Sequence, residues 1–184
     1  MRTRFFKLIV FTLFVSLLPG MYSIGQTTKV YIVRHAEKNM KDTTDKNPPL
    51  SKEGNKRVKA LQKKLKGVKL AAVFSTNTIR TMSTASPLAK SNKLTIQNYD
   101  PKNLKALADK IKAEYAGKNV LVVGHSNTLL PTVQSFGVMT VMAMIPDNVY
   151  NLFFTVTIDA SGKAEMKQET YGKDTPPGNG AAMK

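Results

Sequence analysis

From residue 29 onward the chain alternates short apolar runs with longer segments whose apolar positions recur every three or four residues. Lys29–Val33 (KVYIV), Leu70–Phe74 (LAAVF), Leu94–Gln97 and Val120–Val123 (VLVV) read as strands, because branched and aromatic side chains suit a pleated surface. The unbroken VLVV run predicts a central parallel strand covered on both faces. Ser51 is placed to cap a helix running to about Lys66, with Gly54, Val58, Leu61 and Leu65 on one stripe. Lys52, Lys56, Lys59, Lys63 and Lys66 recur on the same helix, roughly 150° around its axis, and predict a solvated face. A second helix is expected from about Thr78 to Lys90. A third is expected behind Asp100-Pro101, with Asp100 as cap, Leu104, Leu107, Ala108, Ile111 and Tyr115 as its stripe, and Gly117 as its end. Ser126–Phe136 reads as a fourth helix. Tyr150–Ile158 and Ala164–Tyr171 alternate around Asp159-Ala160-Ser161-Gly162 and predict a hairpin.

Strands alternating with helices of this length imply right-handed crossovers and a mostly parallel sheet. The expected fold class is therefore α/β, a three-layer α/β/α sandwich with a C-terminal β-hairpin, over residues 26–171. The flanks read differently. Arg2, Arg4 and Lys7 precede the apolar run Leu8 to Leu18, then come Pro19-Gly20 and the small residues Ser23 and Gly25. That is the pattern of a signal peptide, residues 1–25, cleaved near Gly25-Gln26. The run is shorter than the roughly 18–20 residues a membrane span needs, so no stable membrane anchor is expected. The protein is expected to be exported, to a periplasm or beyond the cell. At the other end, 172–184 (GKDTPPGNGAAMK) lacks periodicity and is expected to be disordered.

Composition narrows the chemistry. The chain of 184 residues contains no cysteine and only two histidines, His35 and His125. That excludes thiol nucleophiles, iron–sulfur clusters, Cys-ligated zinc and a His-rich metal site; no metal or cofactor is expected. The formal charge of +16 favours anionic partners. No aromatic stacking pattern or helix-turn-helix accompanies it, so nucleic acid is not expected.

In open α/β sheets ligands bind beyond the carboxyl ends of the strands. Arg34-His35-Ala36-Glu37 follows the first strand, Ser75 to Thr81 with Arg80 follows the second, and Gly124-His125-Ser126-Asn127 follows VLVV. Both histidines thus fall at one sheet edge with two arginines. Two guanidinium forks and a helix start at Ser126 and Asn127 suit a tetrahedral, doubly charged oxyanion. One histidine can act as a nucleophile by forming a phosphoramidate, and the other can stabilise the transferring group's oxygens.

Arg34-His35-Ala36-Glu37 resembles the Arg-His-Gly motif of the histidine phosphatase superfamily, the phosphoglycerate-mutase-like proteins. Phe74 to Ala89 (FSTNTIRTMSTASPLA) is similar to that family's second block, and VLVVGHSN is similar to its third. The resemblance implies that His35 is the phosphorylated nucleophile, with Arg34, Arg80 and His125 completing the phosphate pocket. Ala36 stands where the family has glycine, and Ser126 stands where the phytase-like branch has Asp, which places the chain in branch 1. The proton donor to the leaving group is open between Asp100, which also reads as a helix cap, and Glu37, which in the family more often supports the pocket. The expected activity is a metal-independent phosphoric monoester hydrolase of the histidine acid phosphatase type. A small-molecule or glycan phosphomonoester is the expected substrate. The alternatives are a phosphohistidine protein phosphatase and a noncatalytic phosphate-binding module on the same fold.

Overall fold

A computed structural model describes residues 27–175 of the chain. Six strands and four helices alternate as β1 (Thr28–Arg34), α1 (Lys52–Lys64), β2 (Leu70–Ser75), α2 (Ile79–Ser91), β3 (Ile96–Asn98), α3 (Leu104–Glu114), β4 (Asn119–Gly124), α4 (Ser126–Gln134), β5 (Leu152–Ile158) and β6 (Ala164–Thr170). The strands form one sheet in the order β3-β2-β4-β1-β5-β6. β1, β2, β3 and β4 run parallel, and the β5–β6 hairpin adds two antiparallel strands against β1. The expected fold class is the observed one, and VLVV lies at the centre, between β2 and β1.

Strand side chains alternate between two cores, as the period of two demands. Val30, Ile32, Val120 and Val122 face α3 and α4 through Leu107, Ile111, Leu129 and Val133. Tyr31, Val33, Leu121 and Val123 face α1 and α2 through Leu61, Leu65, Ala85 and Leu88. The two helical layers explain why the central strands are apolar at consecutive positions. The lysines of α1 lie exposed opposite its buried stripe.

Two expectations are corrected. Asp100 does not cap α3: the helix starts at Leu104, and the Asn103 side chain accepts from the Ala106 N–H. Asp100 instead closes a turn, its Oδ1 accepting from Lys102 N and its carbonyl from Asn103 N. Asp-Pro opens a turn as readily as a helix, and here the turn precedes a second capping residue. Gly172 to Thr175, expected to be structureless, are tied to the domain. Arg57 Nη2 donates to the Lys173 carbonyl, and the Thr175 hydroxyl accepts from Tyr150 N. In the segment after α4, Met139 and Met144 are largely exposed. The signal-peptide segment 1–25 and residues 176–184 lie outside the described residues.

Candidate active site

Parallel strands deliver their following residues to one edge of the sheet, and β1, β2 and β4 do so in register. Arg34 pairs with Gly124 across β1 and β4, so His35 and His125 step off neighbouring strands together. The backbone locks that step: His35 N donates to the Gly124 carbonyl at 2.9 Å. The two imidazoles face each other with centroids 5.4 Å apart and planes inclined by 67°. Ala36 is fully buried, and its N–H donates to the Thr84 hydroxyl, which in turn donates to the Arg80 carbonyl. The loop after β1 is therefore held against the first turns of α2.

His35 has a defined tautomer. Its Nδ1 lies 2.8 Å from the Ala36 carbonyl, an atom that can only accept, so Nδ1 carries the proton. Nε2 is then left with its lone pair. Burial pushes the His35 imidazole down to about 3, and the charges of Arg34 and Arg80 reinforce that shift while the Ala36 bond opposes it. The ring is neutral near pH 7 and available as a nucleophile. His125 is pushed down to about 4 by burial, then by Arg80 and Arg34. Its Nε2 contacts the Thr76 hydroxyl at 2.8 Å. Thr76 Oγ1 donates onward to Thr81 Oγ1, whose own proton reaches the Thr76 carbonyl. Because the Thr76 proton is spent on Thr81, Thr76 accepts from His125 Nε2–H.

The arginines show what the site lacks. Arg34 Nη1 donates to the carbonyls of Pro146, Asp147 and Val149 at 3.3, 2.9 and 2.9 Å. Its Nη2 lies 3.5 Å from Asp147 Oδ1, and Tyr150 stacks on the guanidinium at 4.0 Å. That edge anchors the loop from Pro146 to Tyr150. Among the described residues, the buried Arg34 Nε meets no protein acceptor, and neither do the buried Arg80 Nε and Nη1. Buried guanidinium donors are costly to leave unpaired. Beside two neutral imidazoles, they call for an anion with several acceptor oxygens.

Of the other expected site residues, some lie apart from this cluster. Glu37 turns to Arg57, which donates to its Oε1 from Nε at 2.8 Å and from Nη2 at 2.7 Å. The same guanidinium donates to the Tyr171 and Lys173 carbonyls, so Glu37 and the chain after β6 share one anchor. Asp100 is exposed on the turn before α3, with no bond to either histidine or arginine. Ser126 donates to Asp147 Oδ1 at 2.8 Å, and Asn127 is exposed at the start of α4.

Sequence reasoning missed Asp147, Tyr150 and Thr76 as partners of the arginine–histidine cluster. Asp147 is the carboxylate that touches it, through Arg34, and its side chain is 93% exposed. Tyr150 stacks on Arg34 and meets His35 edge-on at 5.9 Å. The signal for Tyr150 was its place beside a strand that pairs with β1. Asp147 sits in an aperiodic segment that carries no signal.

Residues 30–101 match the family model of the histidine phosphatase superfamily (branch 1). The matched span holds Arg34, His35 and Arg80, and the fold adds His125 from β4. Over that span the chain is similar to branch 1 of the histidine phosphatase superfamily. Its fold is shared with the protein histidine phosphatase SixA, solved with tungstate, at 20% identity and a TM-score of 0.62, covering 77% of this chain and 96% of that one. A phosphoglycerate mutase from Bacillus anthracis str. Sterne aligns at 16% identity and 0.60, covering 79% and 94%. A putative alpha-ribazole-5'-P phosphatase from Escherichia coli str. K-12 substr. MG1655 aligns at 13% and 0.62, covering 78% and 96%. No curated protein sequence matches the chain.

Proposed function

We propose that this protein is a histidine phosphatase of branch 1 that hydrolyses phosphomonoesters through a phosphohistidine on His35, outside the cytoplasm. One observation carries the reaction. A neutral His35, with Nδ1–H spent on Ala36 and Nε2 unprotonated, sits among buried arginine donors that lack acceptors. The phosphoglycerate mutase and the phosphatases on this fold, one of them solved with the oxyanion tungstate, agree with phosphoryl chemistry. The charged leader before residue 26 supports export.

In this reading the Nε2 lone pair attacks phosphorus while the ester P–O bond breaks. The ring gains positive charge, which the Nδ1–H bond to the Ala36 carbonyl stabilises. Arg34 Nε and the Nε and Nη1 of Arg80 bind the equatorial oxygens, where preorganised donors act most strongly. His125 adds a donor as the phosphate's charge raises its proton affinity. The departing alkoxide takes the proton that the substrate's phosphate monoanion brings, relayed through the Asp147 carboxylate that reaches Arg34 and Ser126 at the mouth of the site. Water then attacks the phosphoryl group, the P–N bond breaks, and inorganic phosphate and neutral His35 are regenerated.

Phosphate release from an aryl phosphate by the chain from residue 26 onward, with His35→Ala as control, tests the proposal. Turnover abolished by His35→Ala in a folded protein supports it. A noncatalytic phosphate-binding module would bind phosphate and release none. A phosphohistidine protein phosphatase would favour phosphorylated imidazole over every phosphate ester, because that leaving group needs less protonation.

A further inference from the structure

Beside the phosphate site lies a cavity of about 520 Å³ lined by Leu130, Pro131, Met144, Ile145 and Pro146, with Ser126, Asn127 and Asp147 as its polar members. It borders the reacting centre through Asp147, whose carboxylate reaches Arg34 on one side and accepts from Ser126 on the other. We infer that this cavity receives the leaving group, and that the preferred substrate is a phosphomonoester of an apolar alcohol rather than of a sugar or nucleoside. The inference rests on the proposed phosphatase activity and names the substrate of the same site.

Three observations carry it. Six of the nine lining residues are apolar, and none is a lysine or arginine despite the chain's charge of +16. Most of the polar groups there are committed: the Ser126 hydroxyl donates to Asp147, and the Pro146 and Asp147 carbonyls accept from Arg34, which leaves the exposed Asn127 amide and the outer Asp147 oxygen. A polyol with more hydroxyls than these can meet would bury the rest without partners, at a loss of roughly tenfold in affinity for each. Finally, the apolar lining reaches the surface. Met144 lines the cavity while 74% exposed, and Met139 and Val141 of the same segment are 93% and 107% exposed. Such a patch beside an arginine–histidine site is a route for an apolar chain, and flexible methionines adapt to its length.

A series of n-alkyl phosphates from ethyl to octyl separates this reading from its rivals, because the acidity of the leaving alcohol is nearly constant along it. Burying each methylene predicts a rise in kcat/KM of about 3- to 4-fold per carbon until the cavity fills. The slope shrinks in Met144→Glu. Glycerol phosphate falls well below propyl phosphate. Binding of the matching n-alkylphosphonates, measured by calorimetry on the same protein, shows the same slope without requiring turnover. A flat phosphonate series, or glycerol phosphate overtaking propyl phosphate, overturns the inference. If the folded protein hydrolyses no ester while phosphonate affinity climbs with chain length, the phosphatase reading fails and the apolar subsite stands.

Discussion

The histidine at the centre of the site leaves a mark on stability. His35 has a folded pKa of about 3 against about 6.5 in an unfolded chain. Between these values the unfolded state binds a proton that the folded state refuses, so stability falls as the pH drops through 6.5 and levels near 3. Above pH 6.5 the group contributes nothing. Integrating the linkage from pH 7 to pH 5 gives a loss of about 2 kcal/mol from His35 alone. His125 acts with the same sign over a narrower window, since it is pushed down only to about 4, and its partial exposure makes its share smaller. His35→Asn removes the effect without filling the site. Urea denaturation of both proteins at closely spaced pH values isolates it: the wild type should lose about 2 kcal/mol more than the variant between pH 7 and pH 5. Imidazole NMR signals should show His35 still neutral at pH 5. Parallel stability profiles, or a His35 resonance titrating near 6.5, would refute the reasoning that burial and the two arginines hold His35 neutral.

Other outcomes follow from named contacts. Arg34→Lys should lower kcat/KM on aryl phosphates by roughly 100-fold or more, because one ammonium cannot both anchor three carbonyls and present an Nε donor; steady-state kinetics with a matched melting curve checks it. Asp147→Asn should lower kcat on alkyl phosphates by about 10²-fold or more and spare aryl phosphates, whose leaving groups need little proton donation. Equal losses on both classes would return Asp147 to a loop anchor. At Gly54 an added Cβ would run into the Glu37 carbonyl, so Gly54→Ala should destabilise by about 1–3 kcal/mol despite the better helix propensity of alanine. It should also lower activity by displacing the loop that carries His35, read from denaturation and kinetics on the same sample.

The parts of this molecule that obey a period were legible in its sequence. VLVV reads as a covered central strand because both faces of β4 meet helices, and the stripe of α1 separates cleanly from its lysines. His35 and His125 were legible because parallel strands send their following residues to one edge, and histidine is rare enough here for the coincidence to mean something. What escaped notice depends on contacts without a local signature. Asp100 and Asn103 are both capping residues, and only the turn between them decides which one meets the helix. Arg57 is buried in α1 and holds Glu37 together with the chain after Tyr171. Its one hint was an arginine on a helix whose other basic residues are lysines, since a fork suits several acceptors at once. Asp147 and Tyr150 reach the site from the far end of an irregular segment, through carbonyls that no side-chain pattern marks.

The covalent state of His35 during turnover tests the account most directly. Mixing the protein from residue 26 onward with an aryl phosphate, quenching in alkali on the millisecond scale and mapping the peptides by mass spectrometry should find one phosphoryl group on His35. That group should disappear as substrate is exhausted and be absent from His35→Ala. Steady turnover with an unmodified His35, or with phosphate carried on another residue, would contradict the assignment of His35 as the nucleophile.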